Sequence, residues 1–167
     1  MSNKLVMLER KKVDLHRLYG EVVAESDDLL LLHEEHDFQF DGYVVVRKKD
    51  ISRRDTTESN DYCEKLMRKE GLWEKVPPKV KKLPLDSWHS LLGRFLGKVV
   101  ILENERTDDF LIGPVVEVKD RSVSVHYFDG CGIFTDVERI PFNKITRMMF
   151  GDRYTTIHGK YLEAGTS

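Results

Sequence analysis

One outline occurs twice in this chain, and it restricts the possible folds more than any composition does. Gly20-Glu21-Val22-Val23 leads through a Ser26-Asp27-Asp28 turn into the apolar run Leu29–Leu32, and Lys49-Asp50-Ile51-Ser52 closes the stretch. A second pass opens at Gly113-Pro114-Val115-Val116 and closes at Asn143-Lys144-Ile145-Thr146. Gly113 follows Gly20 by 93 positions, His126 follows His33 by 93, and Ile145 follows Ile51 by 94. Upstream, Lys98-Val99-Val100-Ile101-Leu102-Glu103 follows Lys4-Leu5-Val6-Met7-Leu8-Glu9 by 94. An offset held this steadily over a whole unit marks a duplicated supersecondary structure, not a shared chemistry.

The first unit reads as short strands. Residues 4–9 form a nearly continuous apolar run, Leu15–Val23 a second strand bent at Gly20, Leu29–His33 a third, and Tyr43–Arg47 a β-branched fourth. Ile51 belongs to a short closing strand or 3-10 turn. Phe40-Asp41-Gly42 and Phe128-Asp129-Gly130 read as turns, with Asp bonding locally and Gly at positive φ. In the second unit Thr135–Ile140 supplies the fourth strand. The tail from Phe150 to Leu162, with Tyr154, Thr155, Thr156, Ile157 and Tyr161, has a strand-like composition and is expected to add an edge strand. Short strands joined by turn residues imply small antiparallel barrels, whose closure removes exposed edges.

Between the units the pattern changes. Asp61 with Glu64 three residues on resembles a capping box, and Tyr62, Cys63, Leu66 and Met67 then share a helical face that stops near Gly71. Val76–Pro84 is too rich in proline for regular helix. A second short helix runs from Leu85-Asp86-Ser87-Trp88 to Phe95. Trp73 and Trp88 require burial, so this segment is an arm packed on its neighbours. The expected organisation is residues 1–54 as the first barrel, 55–97 as the helical arm, and 98–167 as the second barrel with a C-terminal strand. The fold class is therefore mainly β with a helical arm, as two tandem small antiparallel β-barrels related by an internal repeat.

Gly-x-Val-Val, the Ser-Asp-Asp turn, the apolar strand and the β-branched strand ending in Lys-Asp-Ile-Ser together resemble the Sm-like and SH3-like small barrels, over roughly 4–54 and 98–148. Sm-like proteins are usually RNA binders that build rings. Neither copy carries the Asp and Asn pair those proteins place around a base, so the resemblance implies the fold and not the activity.

Charge is uneven. Residues 1–43 carry 5 basic and 10 acidic groups, residues 44–98 carry 14 and 8, and residues 99–167 carry 8 and 11. A basic middle lying against two acidic units explains this internally; an acidic partner is the alternative. Arg47, Lys48, Lys49, Arg53 and Arg54 form the densest basic run and are the candidate nucleic-acid residues, as phosphate-binding charges. His33-Glu34-Glu35-His36-Asp37 collects metal-ligand residue types, but on a strand His33 and His36 point to opposite faces, and no metal site is expected. Gly130-Cys131-Gly132 could present a thiol in an open loop, with His126 near in sequence but Asp129 acting against its activation, so no catalysis is expected there. No catalytic residues and no cofactor are expected, since no acid, base and nucleophile set converges. Two distant cysteines imply free, buried thiols and a reduced, cytoplasmic setting. No apolar run is long enough for a membrane-spanning helix. The expected function is a non-catalytic binding or scaffolding module for an unknown partner, a protein in first place, with RNA or single-stranded nucleic acid as the alternative.

Overall fold

The computed structural model describes residues 4–165. Ten strands form one antiparallel sheet. They are β1 (Leu5–Arg10), β2 (Asp14–Glu25), β3 (Leu29–His36), β4 (Gln39–Arg47), β5 (Arg53–Asp55), β6 (Val99–Asn104), β7 (Asp109–Val118), β8 (Ser122–Phe128), β9 (Phe134–Pro141) and β10 (Arg147–Phe150). Four helices accompany them: α1 (Glu58–Lys69), α2 (Pro78–Lys81), α3 (Trp88–Leu92) and α4 (Arg153–Gly165).

The spatial order is β5-β1-β2-β3-β4-β10-β6-β7-β8-β9. The first five strands and the last five thus have the same order of neighbours, each closing strand returning to pair with the first of its group. The sheet is open. Closed separate barrels were expected, but β4 and β10 pair with one another, so these two strands join the groups and β5 and β9 are left as free ends.

Local detail follows the same offset. β2 slips register between Val22 and Ala24, and β7 between Val115 and Glu117. β3 slips between His33 and Glu35, and β8 between His126 and Phe128. Such bulges bend a strand and sharpen its twist. Ser26 N–H bonds Leu29 O at 2.9 Å, and Lys119 N–H bonds Ser122 O at 2.8 Å. Ser52 N–H bonds Glu9 O at 2.8 Å, and Thr146 N–H bonds Glu103 O at 2.8 Å. A 3-10 turn precedes each closing strand, at Lys48–Asp50 and Phe142–Lys144. Glycine is required at both bends: an added Cβ would lie 2.2 Å from His33 O at Gly20 and 2.1 Å from His126 O at Gly113.

The arm differs from its reading in detail. α1 begins one turn earlier than Asp61, because Thr57 and Asn60 form the capping box. Gly71 ends it at φ 70°, with Leu72 N–H bonded back to Met67 O at 2.8 Å. The proline stretch contains one helical turn, α2, since Pro78 sits at the first position, where its missing donor costs nothing. Trp88 is buried in the main core with Val80, Leu91, Leu92 and Phe95, against Val100, Val123 and Met148 of the sheet. Trp73 is half-buried, its ring edge-on to Phe40 at 5.0 Å.

Two further expectations fail. The tail is the helix α4, not a strand. Asp152 accepts from Thr155 N–H, as an N-cap does, and α4 then packs on β6 and β7 with Gly159 against Val99. Helical nucleation plus packing overrides a strand-like composition here. Phe40-Asp41-Gly42 is also no local turn. Phe40 is buried within β4, and Asp41 accepts from Arg153 N–H at 2.8 Å, which docks the start of α4. The hairpin turn is Asp37-Phe38 instead, both at positive φ as a two-residue turn of this type requires.

Gly20→Ala and Gly113→Ala should each destabilise by about 1–3 kcal/mol, the range for forcing atoms into packed space. Urea midpoints would measure it; no shift in either would remove the close approach. At the joint, Arg10 is buried and makes two bonds to Glu105, at 2.7 and 2.8 Å. Glu105→Ala should cost about 3–5 kcal/mol because it leaves a buried guanidinium uncompensated, while Arg10→Met with Glu105→Leu should recover most of that.

Candidate functional site

The basic run is divided by the fold. Arg47 ends β4, and its Nε lies 2.6 Å from Asp50. Lys48 and Arg54 both reach Glu25, each at 3.0 Å. Arg53 bonds Asp55 at 2.7 Å. Lys49 is exposed and lines a cleft with Arg47, but Asp27, Asp28, Asp86 and Asp120 line it too. Lys48 first, then Arg54, holds the Glu25 carboxyl below its ordinary range, against the opposing effect of burial. Arg53 does the same for Asp55. Four of the five candidate nucleic-acid residues thus have an acidic partner within the chain.

The histidine-rich stretch is also dispersed. His33 is buried between the stacked rings of Phe40 and Tyr43, at 3.9 and 4.8 Å. His36 is exposed and pairs with Glu34 at 3.0 Å. Among the described residues no three metal-ligand side chains converge. Cys63 lies beside Glu35, and burial with that carboxylate pushes its thiol up to about 11, far from a nucleophile's range. Cys131, expected to be buried, is exposed.

What the sequence reading missed is the free strand β9. Residues 135–139 are all exposed, so the middle of this strand stands clear of the core on both faces. An ordinary half-buried strand alternates instead. Beside it lies a groove of about 390 Å³ between the β8–β9 loop and α4, lined by Gly130, Cys131, Phe134, Ile157, Tyr161 and Leu162 among others. Apolar side chains stand exposed in it and near it: Ile157 is 50 % exposed and Tyr161 69 % in its lining, with Ile133 at 62 % in the β8–β9 loop and Val137 at 56 % on β9. Ile157 and Tyr161 are four apart and so share one face of α4. Asp129 builds the loop by accepting from the N–H groups of Cys131 and Ile133, at 2.9 and 3.0 Å. An unpaired strand edge with apolar side chains beside it can take a further strand and grip its side chains. One signal was present in the sequence: Val137-Glu138-Arg139-Ile140 stands where the first unit has Tyr43-Val44-Val45-Val46.

Comparison with family models, curated proteins and solved structures finds no match to this chain.

The carboxylates predict a pH profile. Burial raises Glu34 and Glu103 above 4.5, only partly opposed by His36 and Arg147 respectively. Their ionised forms cost stability at neutral pH, so stability should rise as pH falls through their raised values. Glu25 and Asp55 are lowered from 4.5 and 3.8, and their contribution should be lost as pH falls further, through their folded values. Unfolding free energy should therefore peak on the acid side of neutrality. Glu34→Gln should flatten the rise above pH 4.5 and leave the lower limb in place, as chemical denaturation at stepped pH would read.

Proposed function

We propose that this chain is a non-catalytic binding module made of two equivalent small β units, Sm-like or SH3-like in strand order, clasped by the helical arm. Its partner is a protein, which lays an extended segment along β9 with apolar side chains in the groove beside α4. The open β9 edge with the exposed apolar side chains near it carries this reading. The duplication is supported by the common strand order, the bulges, the hydrogen bonds at Ser26 and Lys119, and the two crowded glycines. The preference for protein over nucleic acid rests on charge. A phosphate-binding face needs cations free to replace counterions. Here Asp50, Glu25 and Asp55 already engage Arg47, Lys48, Arg53 and Arg54.

The test uses a displayed library of ten-residue peptides selected on the full chain. Selected peptides should be extended, with apolar residues at alternate positions. Val137→Pro removes a backbone donor from the edge, and Tyr161→Ala removes one wall of the groove. Each should weaken the selected peptides about tenfold or more, a loss of about 1.4 kcal/mol, at unchanged melting temperature. Peptides indifferent to both changes would overturn the site. Salt-dependent binding of a labelled single-stranded oligonucleotide, lost in Arg53→Ala with Arg54→Ala, would replace the protein reading with the nucleic-acid one.

A further inference from the structure

The pairing that joins the two groups of strands sets Arg147 opposite Val46, Met148 opposite Val45, Met149 opposite Val44 and Phe150 opposite Tyr43. The same two strand positions recur, unpaired, at the ends of the sheet. β5 stands to β1 as β10 stands to β6: Arg54 lies opposite Leu8, and Met148 lies opposite Leu102. β9 stands to β8 as β4 stands to β3: Val137 lies opposite His126, and Tyr43 lies opposite His33. One free end therefore has the backbone form of β10, and the other has the form of β4. Two molecules brought together in the register of the internal joint would pair β5 of one with β9 of the next.

Such a contact is heterologous. Each molecule would keep one end open, so assembly would run on into a ring or a fibre. The side chains decide otherwise. In that register Arg54 falls opposite Arg139, and Asp55 falls opposite Glu138. The internal joint has Met148 with Val45 and Met149 with Val44 at these two places. Two apolar pairs have become two like-charge pairs. Directly opposed side chains in an antiparallel pair lie about 4.5–5.5 Å apart at Cβ, where like charges repel. The apolar backing is missing as well. Leu29, Leu31 and Val45 of the first group belong to the main core, and their counterparts in the second are Ser122, Ser124 and Arg139. Charge on a free strand is a known way to stop edge-to-edge growth.

We propose that the β5 and β9 edges fit one another as strands and are kept from pairing by these like charges, so that the sheet ends at ten strands. This rests on the equivalence of the two units proposed above. It keeps β5 of a second copy off the β9 edge in that register and leaves that edge open to a different protein segment.

The experiment is sedimentation velocity over a hundredfold range of concentration, at low and high salt. The wild type should stay at its 19.5 kDa monomer mass throughout. Glu138→Lys with Arg139→Glu on β9 sets Lys opposite Asp55 and Glu opposite Arg54. This double variant should associate to twice the monomer mass and beyond, less so at high salt. Adding Arg54→Glu and Asp55→Lys restores like charges and should return the quadruple variant to monomer. A wild type that already associates overturns the charge block. A folded double variant that stays monomeric overturns the fit of the edges, and with it the equivalence of the units. A quadruple variant that still associates shows mere stickiness and also overturns the proposal. The peptide selection can fail while this series succeeds, so the partner reading and the charge block fail separately.

Discussion

The antiparallel pairing of β4 with β10 is what the rest of the molecule depends on. It turns two groups of five strands into one sheet and pairs residues more than 100 positions apart, such as Val46 with Arg147 and Tyr43 with Phe150. Backbone hydrogen bonds supply its direction. Side chains supply its strength. Leu29, Leu31 and Val45 on one side merge with Val100, Leu102, Ile145, Met148 and Phe150 on the other into a single core. Burial of apolar area on this scale is the main favourable contribution to folding. The joint also carries charge. Arg10 with Glu105 and Arg147 with Glu103 cross or flank it, at 2.7 and 2.8 Å. Pairs like these add little net stability, yet they penalise any other register, which would leave the ions unpaired.

Aromatic rings extend the joint into the arm. Trp73 meets Phe40, Phe40 stacks on His33, His33 on Tyr43, Tyr43 on Phe150, and Phe150 meets Phe95 edge-on. This series starts in the arm, crosses the first group, passes the joint and ends in the arm again. The arm is thus a structural component of both groups. The buried His33, one of the metal-ligand residue types gathered at residues 33–37, serves as one ring in this stack.

The two groups are alike in backbone and unlike in surface. The first group presents valines at the edge that β10 covers. The second presents Glu138 and Arg139 at the corresponding edge, which no strand among the described residues covers. A covered edge can be apolar, whereas an open one must resist chance pairing. The proposed binding role and the proposed block to self-assembly both follow from that difference. The basic run illustrates the same caution about local reading. Its charges are dense in the sequence, but they are divided among β4, the 3-10 turn and β5, and Glu25 alone engages two of them.

The sequence by itself determined the mainly β character, most of the strands, their bends and the helical arm. These depend on neighbours in the chain: apolar runs, turn residues, and glycines that the backbone crowds. It also located the stop of α1 at Gly71 and the burial of Trp88. It misread the tail, because Tyr, Thr and Ile favour a strand only until Asp152 caps a helix and β6 and β7 offer it a surface. It misread Asp41, whose partner lies 112 residues away. Only the tertiary structure decided which edges are paired and which are open. Strand edges are satisfied by backbone groups that every residue carries, so no residue pattern within one strand names its neighbour. The β4–β10 joint, the free β9 edge and the groove beside α4 all arise from that choice, which contacts distant along the chain make together.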